Sequence, residues 1–377
     1  MLDGFFEPGG IRFIFLLVFL FLFLVQLFYY GFFFLRFAYY KERSSPSKTE
    51  GVSVVICARN EYQHLQENLP IILTQDYPEF EVVIVNHASE DETSFLLSNM
   101  SEQYPHLKIV EIREDINFFD GKKFPLSIGI KSASYDRILL TDADCKPISK
   151  HWISLMSEGF SKEKEIILGY GAYIDSKSLL NKIIRFDTVH IALQYFSYAL
   201  AGIPYMGVGR NMAYRKSLFY EKKGFTSHYS IHSGDDDLFI NQAATRLNTK
   251  IAVNPESFTY SESKKTFKEW WNQKKRHLST GRYYRWKHKL LLTLYTLSTL
   301  LFYVFFALLL SLNYTIYLVL ALVILRLAMQ LLIYRKILTR LHEKGIWLLV
   351  PLFEIILIFA NFAFTGSAFL SKDTKWK

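Results

Sequence analysis

The stretch RILLTDADCKP, residues 137–147, decides how the rest of the chain is interpreted. Its first half is an apolar run typical of a buried strand, and two carboxylates, Asp142 and Asp144, follow that run directly. The chain as a whole carries a formal net charge of +9, so two acids one residue apart indicate a site with its own chemistry. An Asp-x-Asp pair also occurs in solvated turns, and the surrounding sequence has to discriminate between these interpretations.

Short β-rich runs and helical stretches alternate through the middle of the chain. The runs occupy residues 51–57, 80–86, 107–112, 137–141 and 165–170. Helical patterns, among them residues 61–75 and 124–134, separate the first four runs. Such βαβ repetition predicts a parallel sheet with helices on both faces.

Polar loops follow three of these runs: ARNE at residues 58–61, HASEDET at 87–93 and DADC at 142–145. Because open α/β sheets bind ligands beyond the carboxyl ends of their strands, we expect these loops to converge on one edge. Two carboxylates at alternate positions can hold one hard cation, and their oxygen ligands suit Mg²⁺ or Mn²⁺. Mg²⁺ completes its shell with phosphate and water, so the sequence indicates a nucleotide diphosphate as the partner.

Apolar segments flank this region. Half of the 377 residues are hydrophobic, which is typical of a protein that partly faces lipid. Residues 13–35 carry no charge and predict a transmembrane helix; a cleaved signal peptide is the alternative, but the run is too long and begins late. Residues 290–325 predict a helical hairpin that turns at 311–314, and residues 346–370 predict a further span or an interfacial segment.

Basic residues cluster beside these segments, at Lys41, Arg43, Lys48, Arg282, Arg285, Lys287, Lys289, Arg335, Lys336, Arg340 and Lys344. By the positive-inside rule, we expect an integral protein of the plasma (inner) membrane with its α/β domain in the cytoplasm. The basic tail SKDTKWK, residues 371–377, conflicts with a last helix that spans fully. The excess charge beside the spans fits anionic membrane lipids, and we expect no nucleic-acid partner.

Two charged residues fall inside the apolar segments. Arg326 lies eight residues before Tyr334, the expected end of the third span, and Glu354 lies eight residues after Ile346, the start of the fourth. At roughly 1.5 Å per residue, both would lie about 12 Å deep. Because unpaired charges at that depth are costly, the sequence predicts a buried ion pair. The alternative is that Arg326 extends alone to the headgroups.

Five motifs occur in a characteristic order. VSVVICARNE (52–61), VVIVNHASEDET (82–93) and GKKFPLSIGIKSASYDRILLTDADCKP (121–147) are followed by SGDDDLFINQA (233–243) and QKKRH (273–277). On these motifs the chain resembles the membrane-embedded family 2 glycosyltransferases of GT-A fold, such as cellulose, chitin and hyaluronan synthases. The resemblance implies a Rossmann-like α/β nucleotide-diphospho-sugar transferase domain inserted between transmembrane helices.

The resemblance also implies roles for individual positions. Asp144 corresponds to the principal metal ligand with Asp142 beside it, Asp235 to the catalytic base, and Asp237 to the catalytic-site acid two positions later. The positions that correspond to donor-binding residues are Ala58, Glu61, Asn86, His87, Lys122 and Asp142. Those that correspond to acceptor-side residues are Gly209, Asn211, Gln273, Arg276 and His277.

The chain departs from the family pattern at three places. Asn86 and His87 stand where the family often has two aspartates, so the contact to the nucleobase is left open. Gly234 stands where a glutamate precedes the base, and His277 replaces a tryptophan. The last exchange is consistent with a different acceptor or with no chain extension.

The chemistry can be argued from the residues themselves. A departing nucleotide diphosphate needs its charge neutralised, which a metal at Asp144 and the ammonium of Lys122 would supply. The acceptor hydroxyl needs one carboxylate base, and a single base implies direct displacement with inversion. Asp235 and Asp237 have an alternative role as helix-capping residues, and Gly209 and Asn211 have one as turn formers.

Residues 266–281, TFKEWWNQKKRHLSTG, combine aromatic and basic side chains. An amphipathic interfacial helix would place Trp270 and Trp271 toward headgroups and Lys274 and Lys275 toward anionic phosphate. Its opposite face would direct Gln273, Arg276 and His277 into the active site.

The sequence therefore predicts four regions: an N-terminal transmembrane helix (1–43), a cytoplasmic GT-A domain (50–262), an interfacial segment (263–288) and C-terminal transmembrane helices (289–371). The expected activity is metal-dependent, inverting transfer of a sugar from a nucleotide-diphosphate donor to a hydroxyl of a lipid-linked or polysaccharide acceptor. The alternatives are a processive polysaccharide synthase and a membrane-anchored nucleotide-sugar-binding protein without turnover.

Overall fold

The computed structural model describes residues 10–42, 50–113 and 121–370. The basic residues Arg43 and Lys48 and the basic tail at 371–377 lie outside the described residues. The chain divides into two units. A helical unit comprises the described parts of Met1–Tyr40 and Arg285–Ala363, and an α/β unit those of Lys41–Tyr284 and Phe364–Lys377.

The strands of the described residues form two sheets, one of seven strands in the order β3-β2-β1-β4-β8-β6-β9 and one of three in the order β5-β10-β7. Their bounds are β1 Val52–Ala58, β2 Phe80–His87, β3 Leu107–Ile112, β4 Arg137–Leu140, β5 Lys146–Pro147, β6 Ile166–Leu168, β7 Gly171–Tyr173, β8 Met212–Arg215, β9 Thr249–Ile251 and β10 Thr259–Ser261.

The helices of the α/β unit lie between these strands except α10, which follows the last strand, and those of the helical unit lie at either end of the chain. Their bounds are α1 Ile11–Phe28, α2 Leu35–Ala38, α3 Tyr62–Leu73, α4 Thr93–Gln103, α5 Lys123–Ser132, α6 Trp152–Ser157, α7 Leu179–Leu200, α8 Lys216–Glu221, α9 Asp237–Ala243, α10 Phe267–Leu278, α11 Trp286–Ser311, α12 Ile316–Arg340 and α13 Val350–Leu370. A π-helical segment, Tyr29–Phe34, joins α1 to α2.

The large sheet is mixed, whereas the sequence predicts a parallel one. Strands β3, β2, β1 and β4 are parallel as the βαβ repetition predicts, but β8 runs antiparallel to both β4 and β6. The expectation of a wholly parallel sheet is wrong at this strand. The segment before β8 already lies at the carboxyl edge of β4, where the Thr141 hydroxyl donates to the Arg210 carbonyl at 3.0 Å. A strand that begins at that edge has to run back across the sheet.

The parallel half of the sheet is covered on both faces, because successive side chains of a strand point to opposite sides. On one face, Ile56 and Ile84 belong to a buried apolar cluster with Leu65 of α3 and Leu97 of α4. On the other face α5 approaches at Gly129, where a Cβ atom would lie 2.7 Å from Val55 Cγ1 and 2.8 Å from a Val85 methyl. This layering leaves the carboxyl edge of the strands open to the loops that follow them.

Within the described residues, four helices are long and apolar enough to cross a membrane: Ile11–Ala38, Trp286–Ser311, Ile316–Arg340 and Trp347–Phe364. The first agrees with the span predicted at residues 13–35. The second and third form the predicted hairpin, since α11 ends at Ser311 and α12 begins at Ile316. The fourth falls within the predicted segment 346–370.

The helical unit contains a fully buried ion pair. The Arg326 guanidinium, 0% exposed, donates from Nη2 to Glu354 Oε2 at 2.7 Å. Its Nη1 donates to the Tyr303 hydroxyl at 2.9 Å, and its Nη2 also donates to Gln26 Oε1 at 3.2 Å. The Tyr30 hydroxyl donates to Glu354 Oε1 at 3.3 Å. The predicted pairing is confirmed, and the alternative in which Arg326 extends alone to the headgroups is wrong.

Candidate active site

Loops converge at the carboxyl edge of the sheet, as the sequence predicts. The backbone N–H of Asn60, after β1, donates to Ser89 Oγ at 3.0 Å, and its side-chain oxygen accepts the Glu90 N–H at 2.8 Å. The loop after β2 is thereby tied to the loop after β1. The loop that carries Asp142 and Asp144 leaves the same edge because β4 is parallel to β1.

An ion pair joins Lys122 to the first carboxylate of the Asp-x-Asp motif. Lys122 precedes α5, and its ammonium donates to Asp142 Oδ1. Burial would raise the pKa of Asp142, but Lys122, aided by Arg210 and Arg276, holds that pKa below its usual value. Burial would lower the pKa of Lys122, but the carboxylates of Asp142 and Asp235 raise it instead. Both partners are therefore charged at neutral pH.

The ligand atoms of Asp142, Asp144 and Cys145 lie within 4.8 Å of one another. The Cys145 thiol donates to Asp144 Oδ1 at 3.4 Å, and burial raises its pKa well above the usual value, so it stays protonated. A neutral thiol is a poor ligand, which leaves two carboxylates as the donor set. Among the described residues no salt bridge occupies Asp144, although the charges of Asp142 and Asp144 both act on Arg210, and this donor set fits a hard divalent cation.

Asp237, a predicted catalytic-site acid, is held by side chains that follow α10. Its Oδ2 accepts hydrogen bonds from the hydroxyls of Thr280 and Tyr284, the latter at 2.6 Å, and its Oδ1 accepts the Leu238 N–H at 2.7 Å. Burial raises the pKa of Asp237, and the hydrogen bonds from Thr280 and Tyr284 oppose that shift. These contacts favour the structural alternative for Asp237.

Asp236 caps α9, a role that the sequence pattern suggests only for its two neighbours. Its Oδ1 accepts the Asp237 N–H at 2.7 Å, and its Oδ2 accepts the Gly209 N–H at 2.9 Å. Burial, with the adjacent charges of Asp235 and Asp237, raises the pKa of Asp236 to about 8. At neutral pH this carboxyl is therefore largely protonated.

Asp235 differs from both neighbours. Within the described ranges its carboxylate accepts no hydrogen bond from the protein, whereas those of Asp236 and Asp237 accept several. Its charge acts on Lys122 and Lys123. Of the three consecutive acids, Asp235 is the one whose oxygen atoms are available to a ligand.

Lys123, which no motif of the sequence marks as a site residue, is buried and bonded to backbone. Its ammonium donates to the carbonyls of His228, Ile231 and Ser233 at 2.7, 2.6 and 2.7 Å. Burial lowers the pKa of Lys123 to about 8, and the aspartates of α9's N-terminus oppose that shift. At pH 7 the form with three N–H donors predominates.

Arg210 is a further cation at this edge. Its guanidinium lies over the Tyr173 ring, 4.2 Å from the centroid, and Nη1 donates to Ser261 Oγ at 3.2 Å. It contributes to holding the pKa of Asp142 low. The motif GVGRN contains this residue, but only the register of β8 beside β4 brings it to the carboxylates.

The predicted donor-binding residues lie at the ends of β1 and β2. Ala58 pairs with Asn86 across the sheet, and both are buried, as is His87. The Asn86 amide donates to Ser94 Oγ at 2.7 Å and to the Glu111 carboxylate at 3.0 Å. Its hydrogen-bonding capacity is thus largely used within the fold.

Glu61 is the most exposed of the predicted donor-binding residues after β1 and β2. Its Oε2 lies 2.5 Å from Nδ1 of His64. Burial raises the pKa of Glu61 against the effect of His64, and Asp144 and Asp142 raise it further. The carboxylates after β4 and the Glu61 side chain therefore share one electrostatic environment.

The two predicted acceptor-side residues before β8 have structural roles. Gly209 donates its N–H to Asp236. Asn211, 0% exposed, donates to the Tyr170 and Ser257 carbonyls at 2.9 and 2.8 Å and accepts from Trp152 Nε1 at 3.1 Å. Its amide is saturated, which favours the turn-forming alternative over contact with an acceptor.

Helix α10 carries the remaining predicted acceptor-side residues. Thr266 and Glu269 form a capping box at its start. Gln273 donates to the Tyr173 hydroxyl at 3.3 Å, which links α10 to the residue under Arg210. Arg276 contributes to the low pKa of Asp142, and His277 is exposed.

Two details of the predicted interfacial helix are wrong. Trp270 is 2% exposed and packs against Phe267, 5.7 Å between ring centroids, so it does not point toward headgroups. Lys274 is 6% exposed and pairs with the buried carboxylate of Asp187 at 2.8 Å, so it does not reach anionic phosphate. The ion pair with Asp187 holds the Lys274 ammonium inside the protein, away from a charged membrane surface.

The model of the family described as Glycosyl transferase family 21 matches residues 18–377 of the chain. The GT-A glycosyltransferase resemblance is thereby confirmed, under the family number 21 where the motifs suggest family 2. The match extends over nearly the whole chain, including its apolar helices.

Among the proteins that are similar to the chain are two bacterial relatives and one solved structure. A probable glycosyltransferase YdaM of Bacillus subtilis is 27% identical over 64% of this chain and 58% of its own length. A poly-beta-1,6-N-acetyl-D-glucosamine synthase of Staphylococcus epidermidis is 25% identical over 63% of this chain and 56% of its own. The chain thus spans a little over half the length of these relatives.

The structure of mannosyltransferase PcManGT from Pyrobaculum calidifontis, in complex with GDP-Man and Mn²⁺, superimposes with a TM-score of 0.59. It is 18% identical, and the match covers 93% of this chain and 98% of that one. At 18% identity, this similarity shows a shared fold and nothing about the activity of this chain.

Proposed function

Since the chain belongs to glycosyl transferase family 21, we propose that it is a membrane-bound, metal-dependent, inverting glycosyltransferase. It moves a sugar from a nucleotide-diphosphate donor to a hydroxyl of a lipid-linked or polysaccharide acceptor. The observation that carries this proposal is the contrast within the acidic run. Asp237 and Asp236 are engaged by the protein, and Asp235 alone is available to a ligand beside Lys122.

The donor end of the site is formed by Lys122, Asp142 and Asp144. Asp144, with Asp142 beside it, would hold Mg²⁺ or Mn²⁺, which when bound neutralises the departing diphosphate as a Lewis acid. The Lys122 ammonium bonds to Asp142 of this pair and adds a fixed positive charge there. Arg210, held over Tyr173, adds a second cation at this end.

The transfer itself needs one base. The acceptor oxygen attacks the anomeric carbon while its proton passes to the Asp235 carboxylate. The bond between the anomeric carbon and the phosphate oxygen breaks, and the diphosphate leaves with the electron pair. Because the nucleophile enters opposite the leaving group in a single displacement, the sugar inverts its configuration.

Two observations favour different classes of acceptor. The synthase name of the Staphylococcus epidermidis relative favours a polysaccharide acceptor. The part of the chain that the structure describes has four candidate spans, one before and three after the α/β unit, and so few helices favour a single addition to a lipid-linked acceptor over a polymer channel. The positive-inside pattern supports a plasma-membrane location with the α/β unit in the cytoplasm.

The test uses the purified full chain in detergent, a panel of UDP- and GDP-sugars, Mn²⁺ or Mg²⁺, and a membrane lipid extract. We expect release of nucleoside diphosphate with one donor, and a product whose anomeric configuration, measured by NMR, is opposite to that of the donor. Asp235→Asn should lower the rate by about 100-fold or more while nucleotide binding persists. Asp76→Asn, an exposed carboxylate after α3, is the matched control and should be unchanged.

The alternative without turnover predicts a different result. In that case wild type and Asp235→Asn would both bind a nucleotide sugar in the presence of the metal, and neither would release diphosphate with any donor of the panel. A product that retains the donor configuration would instead contradict the single-base mechanism.

A further inference from the structure

Two consecutive lysines are directed at different parts of the active site. The ammonium of Lys122 bonds to Asp142, a member of the carboxylate pair. The ammonium of Lys123 bonds to the backbone that leads to Asp235. Because the two lysines are adjacent in the chain, the start of α5 contacts both the donor end of the site and the segment that carries the proposed base.

The contacts of Lys123 match its chemistry. An ammonium group has three N–H donors and no acceptor, and Lys123 meets three carbonyl oxygens, those of His228, Ile231 and Ser233, at 2.6–2.7 Å. These acceptors are 105 to 110 residues away in the chain, so the side chain joins segments that are otherwise distant. The lysine is 4% exposed, and water does not compete for these bonds.

Glycines allow this segment to lie close to the start of α5. Gly121 has φ +136°, and a Cβ atom there would lie 2.8 Å from the His232 carbonyl oxygen. Gly234, between Ser233 and Asp235, has φ +100°. Gly121 thus leaves room for the 228–234 backbone, and Gly234 allows its turn. The Lys123 ammonium holds this backbone immediately before the acidic run.

We propose that Lys123 is a positioning residue that fixes Asp235 relative to the Asp142–Asp144 pair by holding the 228–233 backbone against the start of α5. The inference rests on the proposed function of Asp235 as the base. Lys123 touches neither donor nor acceptor; it acts through the segment it binds. Nucleotide binding depends on Lys122 and the carboxylate pair, so it does not require Lys123.

The first test is a graded series at this position, with Lys123→Gln retaining two N–H donors and Lys123→Met none. We expect kcat to fall by about 10-fold in Lys123→Gln and by about 100-fold in Lys123→Met. A displacement of a catalytic group by about 1 Å can lower the rate about 100-fold. The donor KM and the affinity for nucleoside diphosphate with Mn²⁺ should stay unchanged. Lys131→Met, an exposed lysine on the same helix, is the control and should behave as wild type.

A double-mutant cycle gives the sharper test. If Lys123 acts only through Asp235, adding Lys123→Met to Asp235→Asn should not lower kcat further. Additive losses, or a parallel loss of nucleotide affinity and kcat in Lys123→Met, would show a merely structural residue and overturn the inference. A normal kcat in Lys123→Met while Asp235→Asn is inactive would also overturn it, and would leave the proposed function intact.

A folding failure of Lys123→Met leaves the proposal testable. Amide hydrogen exchange in Lys123→Gln should then increase at residues 231–237 and stay unchanged in β4. Unchanged exchange at 231–237 would overturn the inference. Wild-type activity of Asp235→Asn would be the separate result that removes the proposed base itself.

Discussion

The acidic run 235–237 shows how far one residue type can diverge over three positions. Asp237 is bonded to two hydroxyls, Asp236 caps α9, and Asp235 has no hydrogen-bond partner within the described part of the chain. Burial raises the pKa of both Asp237 and Asp236, and the hydrogen bonds that each carboxyl accepts oppose that shift. Availability to a ligand, and not acidity alone, distinguishes the candidate base.

The Asp236 carboxyl gives a pH-dependent prediction. Its pKa of about 8 in the folded protein lies above that of an unfolded aspartate, so the folded state holds a proton that the unfolded state releases. Its contribution to stability is therefore full below about pH 4 and is lost as the pH rises toward about 8.

Asp236→Asn removes this titration and keeps a good helix cap. The temperature of half-inactivation of the variant, relative to wild type, should increase from pH 5 to pH 8 by the equivalent of about 3–4 kcal/mol, because each pH unit between the two pKa values is worth about 1.4 kcal/mol. A difference that stays constant across these buffers would contradict the assignment. Asp76→Asn again serves as the control, because that carboxylate is exposed.

At this scale the sequence predicts residues with local signatures. Asp142, Asp144 and Lys122 lie in ordered motifs next to predicted strands, and the structure brings them together. Lys123 cannot be found in this way, because its partners are backbone carbonyls more than 100 residues further along. Asn211 has a motif-like context, yet its amide is saturated by backbone, and no sequence pattern reports that.

Packing of α5 on the sheet belongs to the scale of elements. Gly129 allows α5 to approach β1 and β2, and a methyl group there would lie 2.7 Å from a Val55 methyl. Valine side chains on a buried strand have little rotameric freedom to move away.

Gly129→Ala should therefore destabilise the α/β unit by about 1–3 kcal/mol, despite the better helix propensity of alanine. The measurement is thermal aggregation of the purified protein in detergent. Gly281→Ala, where nothing lies within 4 Å of the added carbon, is the matched control and should be neutral. An unchanged aggregation temperature for Gly129→Ala would mean that α5 can shift outward without loss.

The order and type of the elements follow from local periodicity, but their direction does not. The runs at β1 to β4 predict parallel strands because helices separate them. Strand β8 follows a long helix and a glycine-containing segment, so its antiparallel pairing with β4 depends on where that segment lies. Helix α10 likewise has the predicted amphipathic pattern. The ion-pair partner of its Lys274 is Asp187, which lies on α7 and is distant in sequence.

At the scale of the whole molecule, the family match includes the apolar helices as well as the α/β unit. The Arg326–Glu354 pair could be predicted because the depth of both residues follows from helix geometry. The tyrosine and glutamine partners around the pair could not, since such residues occur on many faces of apolar helices.

The pair predicts strong coupling between two helices. Glu354→Gln leaves the Arg326 guanidinium without its carboxylate in an apolar environment, which should cost about 3 kcal/mol and reduce the amount of folded protein in the membrane. Arg326→Gln in the same chain should restore part of that loss. The yield of monodisperse protein in detergent measures both effects, and equal yields for the single and double variants would argue against coupling.

The first helix contributes more than attachment to a bilayer. Gln26 accepts from Arg326 and donates to the hydroxyls of Ser298 and Thr299 at 2.7 and 2.9 Å. Trimming the chain ahead of the α/β unit, a common route to a soluble enzyme, would expose a guanidinium and two hydroxyls to hydrocarbon tails. Removing the leading forty residues would thus favour degradation of the trailing helices, and solubilisation is better sought with detergent or nanodiscs.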